Sequence, residues 1–488
     1  MDLIVIALYM AAMIGIGWYA KRRAKTESDY LVAGRRLGPM LYAGTMAALV
    51  MGGGATLGGI ALGYQHGLAG AWLVFSMASG VALISLVLAP IINRLRVYTV
   101  SQMLELRYGG NHALISGIVM LAYTLMIAVT STIAYGAIFS VLFDIGKAQA
   151  ILIGSSVVIL YSVLGGMWSI TLTDFVQFVL KTVSIFFILL PISLWRAGGF
   201  AGLAAHLPAE AFSFTTIGGA GIFTYIVLYV PTMVIGQDLW QRVFTARNDR
   251  VARWAGLAAA AYCFLYGLAG ALIGMATKVL LPNISARDQV YTQVVRHVLP
   301  EGLSGLVVAG ALAAIMSTSS GALIATATVA KEDVLPALRR LTHAETASGS
   351  SSSEPSTRAD TQADEVRSSR KLVVIFGVVM AGIACALKDV IAALTIASDI
   401  LVGGLLVAVI GGMVWKRATA FGALVSIICG TIVTLGTMFV MSDLFANLPI
   451  YLGLAASLLA FVVCSLSGAP TSSAVLREWK MRVTGNSA

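Results

Sequence analysis

The stretch AALVMGGGATLGG, residues 47–59, carries three consecutive glycines, Gly52 to Gly54, in the middle of an apolar run. Inside a helix each glycine costs about 1 kcal/mol relative to alanine. At membrane depth, non-helical backbone survives only where protein buries it or where it lines a cavity. Small residues also let helices approach closely, and a single glycine would be read that way. Three together predict a broken helix. A break frees the carbonyls of Ala47, Ala48, Val50 and Met51 to bind a cation, as half-helix ends do in secondary transporters.

The surrounding chain fits a bilayer. Its 488 residues are 58% hydrophobic and 11% charged, less than half the roughly 25% charge of a soluble chain. An apolar window of about 20 residues marks each span. Thirteen such windows are predicted, at 2–19, 39–63, 69–92, 112–142, 147–165, 172–195, 216–237, 252–277, 303–329, 371–388, 394–415, 418–440 and 448–467. The motif KRRAK at 21–25 follows the first, which puts the amino terminus outside if positive residues stay inside. Thirteen crossings then leave the carboxyl terminus in the cytoplasm. Of the 32 Lys and Arg residues, 25 fall in segments on the KRRAK side, six on the other, and Lys181 lies within a span. The net charge of +10 is therefore read as orientation in a cell membrane, inner or plasma, and not as affinity for nucleic acid. No cleavable leader is expected, because the first apolar window is long enough to stay in the membrane. The four cysteines, Cys263, Cys385, Cys429 and Cys464, have spacings that suit neither a disulfide framework nor a metal site.

Residues 1–38 are expected to hold the first span and a cytoplasmic loop. Residues 39–195 and 196–415 would form two repeats, and 416–488 the last two spans and a tail. The Ser-rich segment 341–370 reads as a disordered cytoplasmic loop. Segment 93–110 reads as a short interfacial helix, with Tyr98, Met103 and Leu106 toward the membrane. A second short helix is expected around ARDQVYTQVVRHVLP, residues 286–300.

Span 7, TYIVLYVPTMVIGQDLW at 224–240, is interrupted by Pro231, which removes a helical hydrogen bond. An interruption in spans 2 and 7 has a period of five. An odd period inverts topology, and such inverted repeats place a site at their interface near the midplane. In span 9, ALAAIMSTSSGALIATATVAKED at 311–333 sets Ser317, Thr318, Ser319 and Ser320 in a row. One serine would bond the carbonyl a turn back in its own helix. A run of four facing a broken helix predicts an all-oxygen site of low charge, suited to a hard monovalent cation. Asp174 at the cytoplasmic end of span 6 is either a helix cap or a site acid. Lys181 lies two turns further on the same face, too deep to snorkel easily. It would need an anionic solute as counter-charge, would itself stand in for an ion, or would simply reach the bundle's water-filled cavity with no role. Asp399 is a third polar insertion, in span 11.

These residues resemble the sodium:solute symporter family, whose members share the inverted-repeat fold of LeuT-type transporters. The resemblance spans roughly residues 1–467. It is carried by GLVVAGALAAIMSTSSGALIATATVAKEDV (305–334), YSVLGGMWSITLTDFVQ (161–177), GQDLWQRVFTAR (236–247) and GGMVWKRATAFGALVS (411–426). It implies an all-α polytopic protein of about 13 helices, with spans 2–6 and 7–11 as five-helix inverted repeats, each opening on a broken helix. It implies a sodium site made by Ala48, Met51, Ala314, Ser317 and Thr318. Asp174 and Ser320 become candidates for a second ion or for coupling, although Gly321 stands where another serine is expected. Ala55 and Val74 replace the polar residues that the family's sugar carriers use. Thr56, Trp72, Lys181, Tyr229, Thr232 and Thr395 are the candidate solute residues.

The expected function is secondary active transport, sodium-coupled symport of a small organic solute by alternating access, with an amino acid or organic acid favoured over a sugar. The expected partners are the solute, Na+ and the lipid bilayer, with no other cofactor, and the chain is expected to work as a monomer. A proton-coupled or sodium-independent carrier of the same fold is the alternative, with a channel or sensor behind it. An enzyme is not expected, since the five histidines form no ligand pair, and no G-x-x-x-x-G-K-[ST] phosphate loop is present.

Overall fold

The computed structural model describes residues 1–109, 112–343, 358–387, 390–441 and 448–485. Among these residues all the regular structure is helical apart from one isolated bridge, Leu37 to Ala246. Eleven helices are long and apolar enough to cross a membrane. Two are composites, Gly54–Leu95 and Lys147–Arg196. The second has 50 residues, about 75 Å at 1.5 Å per residue, more than twice a bilayer core. The chain breaks within it at Gly166, where φ is 54° and ψ −136°. The first breaks at Gly67, with φ 60° and ψ −137°. A Cβ at either position would meet backbone atoms, at 2.4 Å from Tyr30 O and 2.1 Å from Ala211 O. Counting these breaks, and Pro39–Val50 as the first half of span 2, gives the thirteen expected spans.

Span 2 is Pro39–Val50, a non-helical Met51–Gly52, and a second half that begins as a π-turn, Gly54–Gly58, and continues as Gly59–His66. Span 7 is also broken, but not where the proline predicts. Gly218–Ile235 runs through Pro231 without interruption. The break falls at Gly236, extended at φ −63° and ψ 130°, before Gln237–Thr245. A Cβ at Gly236 would lie 2.7 Å from the Tyr123 hydroxyl, so crowding selects the glycine. Each repeat therefore opens on a broken helix.

Span 9, Leu303–Val329, is the central post. All of its apolar window is buried, against 28% for span 1. It packs on Ala113–Phe143, on Lys147–Thr182 and on span 1. Its hydroxyls cannot face lipid from that position. Spans 12 and 13, Ala420–Met441 and Leu448–Ser467, pack on each other at the periphery.

The loop expectations fare unevenly. Helices Val100–Tyr108 and Val290–Val298 form where short helices are expected. Residues 344–357 of the predicted disordered loop lie outside the described residues. Residues 358–370 are not a loop, since they begin the helix Arg358–Ala386. The tail is helical over Ser473–Thr484 and lies against Ala89–Leu95 and Val100–Tyr108.

Candidate cation and solute site

The break in span 2 stops the first half-helix short of its last carbonyl partners. Met51 N still reaches Ala47 O at 3.2 Å, and Thr56 N reaches Gly52 O at 2.8 Å. Between them, Ala48 O and Leu49 O turn to side chains of span 9. Ser317 Oγ lies 2.8 Å from both Ala48 O and Ala314 O, and Thr318 Oγ1 donates to Leu49 O at 2.5 Å. Thr56 Oγ1 lies 3.5 Å from Met51 O. Ser320 donates to Ser317 O within its own helix. The glycines permit this approach. A Cβ on Gly52 would sit 2.3 Å from Thr318 Oγ1, one on Gly53 2.6 Å from Ala134 Cβ, and one on Gly54 2.7 Å from Leu394 Cδ2. Break and close packing are thus one feature.

Lys181 enters the same site from span 6. Its side chain is fully buried, and its Nζ donates to Ala47 O at 3.0 Å and Ala48 O at 3.2 Å. The long stem carries the ammonium across to the carboxyl end of a half-helix, where carbonyl dipoles favour a cation. Tyr266 of span 8 presents its ring 5.9 Å from Nζ, at the outer limit of a cation–π contact.

Asp174 does not pair with Lys181. Its Oδ2 accepts from Thr45 Oγ1 at 2.5 Å and from Arg242 Nη2 at 3.0 Å, with both charged side chains fully buried. Arg242, counted in sequence among the loop charges, therefore belongs to the core. Close by, Tyr9 accepts from Gln177 Nε2 at 2.9 Å, and Tyr161 donates to Met316 O at 3.1 Å.

A cavity of about 40 Å³ lies at the junction of the two breaks, room for a few water molecules. Gly52 to Ala55, Thr318, Ser131 and Asp238 contribute to its wall, with Met77, Met233 and Leu394 as apolar lining. Asp238 stands just beyond the span 7 break, its Oδ1 accepting from the Tyr123 hydroxyl at 2.9 Å. None of the six solute candidates lines this cavity. Thr56 and Tyr266 share a 2.9 Å hydrogen bond one turn away. Tyr229 stacks on Tyr225 and stands beside Thr395. Thr232 bonds Leu228 O in its own helix, and Trp72 donates to Phe214 O, half-buried. Asp238 was legible as an acid beside the glycine in GQDLW, but only the position of the break brings it to the cavity.

The sequence profile of the sodium:solute symporter family matches residues 30–430. The chain belongs to that family. The symporter is 25% identical to the high-affinity proline transporter PutP of Bacillus subtilis, over 94% of its own length and 97% of that protein's. It is 27% identical to the sodium/proline symporter of Staphylococcus aureus, over 69% and 68%. Its fold matches a substrate-bound, outward-open Na+-coupled sialic acid symporter at a TM-score of 0.77, covering 96% of this chain and 98% of that one at 19% identity. It also matches Mhp1, a nucleobase-cation-symport-1 family transporter, at 0.56, covering 94% and 98% at 15% identity.

Family membership implies a sodium ion as co-transported substrate. The ligand set carried over from the resemblance is chemically apt, since Ala48, Met51, Ala314, Ser317 and Thr318 offer only uncharged oxygens. The geometry does not leave them free. Ala48 O is taken by both Lys181 and Ser317, and Ala314 O by Ser317. A metal ion at Ala48 O would share that oxygen with an ammonium.

Proposed function

We propose that this symporter carries a small zwitterionic amino acid, with L-proline as first candidate, by alternating access across a cell membrane. Its amino terminus lies outside and its carboxyl terminus in the cytoplasm. The observation that carries the reading is the cavity where the two breaks meet. One wall is the start of the second half of span 2, where Gly52 to Gly54 bring backbone N–H groups near a helix amino end, suited to a carboxylate. Another is the Asp238 carboxylate, suited to an ammonium. Met77, Met233 and Leu394 suit an apolar body. An organic acid without an ammonium would meet Asp238 with like charge, and a neutral sugar would leave both ends unused. Two relatives that cover most of this chain are named as proline carriers, which supports the choice.

The cavity is smaller than an amino acid, so binding requires the halves of spans 2 and 7 to part. Bonds that would close one side are in place. Gln237 joins Tyr98 O and Val100 N at 2.8 and 2.9 Å, and Gln241 joins Leu31 O and Thr328 at 2.8 and 2.9 Å. All are within or beside segments that the charge count assigns to the cytoplasm.

The test is a thermal-stability screen of purified protein against L-proline, other L-amino acids, pyruvate and glucose. A ligand at 100 times its Kd adds about 2.7 kcal/mol of stability. The expected result is a raised unfolding midpoint with one or more L-amino acids, absent in Asp238→Asn. A rise with glucose or pyruvate and with no amino acid overturns the reading.

A further inference from the structure

We infer that the Lys181 ammonium is the resident cation of the site between spans 2 and 9, and that no sodium ion binds there in this chain. This does not depend on which solute is carried.

The inference starts from charge. A half-helix that ends inside a membrane presents carbonyl oxygens and a negative dipole end to whatever lies beyond it. Something positive must answer them. In a site open to metal that would be an ion held by carbonyls and hydroxyls. Here a cation of the protein's own is held at 3.0 and 3.2 Å by Ala47 O and Ala48 O. A sodium ion at Ala48 would have to share that oxygen with an ammonium and sit within a few ångströms of it.

Nothing else around Lys181 accounts for its place. The groups facing it are Asp174 on its own helix and Cys263 and Tyr266 on span 8. Asp174 is already bound to Arg242 and Thr45. Among the described residues no carboxylate forms an ion pair with Lys181, so the half-helix end is its counter-charge. The buried charges near the two breaks then balance, Asp174 and Asp238 against Arg242 and Lys181, and a sodium ion would upset that balance.

The hydroxyls agree. Ser317 and Thr318 donate their hydroxyl protons to the carbonyls of Ala48 and Leu49. Ser317 and Lys181 saturate Ala48 O from two sides.

Sodium itself is the probe. The unfolding midpoint of the purified protein is measured in NaCl against choline chloride, at fixed pH and ionic strength, for wild type, Ser317→Ala and Lys181→Ala. The wild type is expected to show no sodium-specific rise. Lys181→Ala empties the place before the carbonyls and is expected to gain a saturable rise of a few degrees, which Lys181→Ala/Ser317→Ala loses. A wild-type rise that survives Ser317→Ala places sodium elsewhere and leaves the inference standing. A wild-type rise that Ser317→Ala abolishes overturns it, and so does a folded Lys181→Ala protein indifferent to sodium. If Lys181→Ala does not fold, the wild-type and Ser317→Ala arms decide the question alone.

Discussion

The four buried charges near the site set the strongest constraints of any single residues. At 4 Å and an effective dielectric of about 20, two like charges repel by roughly 4 kcal/mol, about a thousandfold in binding. A metal ion beside Lys181 would pay at least that before its own desolvation. The Asp174–Arg242 pair is a different case, because each partner needs the other. Arg242→Met should destabilise the protein by about 3–5 kcal/mol, since it leaves a buried carboxylate unpaired. Asp174→Leu/Arg242→Met should cost much less than either single change. Unfolding midpoints of the three variants check this, and additive losses would mean the pair is not coupled. Sequence showed that Asp174 and Lys181 share a helix face. It did not show their partners. Side chains of this length reach other helices, so spacing along one helix fixes a direction and not a contact. Arg242 was lost among the loop charges for the same reason, since a charge count cannot see a helix that folds back into the core.

Among the elements, the two broken helices have different sequence signatures. The glycine run of span 2 was readable, because three residues without Cβ lower helix stability and permit approach together. In span 7 the proline drew attention from the glycine five residues on. Pro231 stays helical because a lipid-facing or packed helix tolerates one missing bond. Gly236 breaks because Tyr123 and Asp238 crowd the space a Cβ would fill. Pro231→Ala should therefore leave uptake of an amino acid near wild type. Gly236→Ala and Gly52→Ala should each reduce it at least about tenfold, a loss of roughly 1.4 kcal/mol, because each forces apart a wall of the cavity. Uptake by cells expressing each variant distinguishes the sites, and a severe Pro231→Ala defect with a normal Gly236→Ala would reverse the assignment.

For the whole molecule, alternation of the spans is supported by contacts between distant loops. Arg94 pairs with Asp249 at 2.6 Å, and Lys331 pairs with Glu27, all in segments assigned to one side. Lys147 bonds Leu387 O at 2.5 Å and Asp2 bonds Gly302 N at 2.5 Å, on the other. The proposed orientation, with the KRRAK side cytoplasmic, rests on the charge asymmetry. With the native cysteines replaced by serine, Glu210→Cys should react with an impermeant reagent in intact cells and Lys480→Cys only after they are opened. The reverse pattern would invert the topology. The architecture was legible because apolar run length and loop charge are additive signals. The cavity wall was not, because it is assembled from six spans that only folding brings together.

In the proposed transporter, two broken helices form an amino-acid site whose neighbouring cation is built into the chain. Counterflow in proteoliposomes loaded with unlabelled L-proline tests both halves, because exchange needs no driving gradient. With choline as the only external and internal salt cation, labelled L-proline should accumulate transiently in wild type and not in Asp238→Asn. Exchange that is absent in choline, restored by sodium in wild type and not restored by sodium in Ser317→Ala would contradict this proposal.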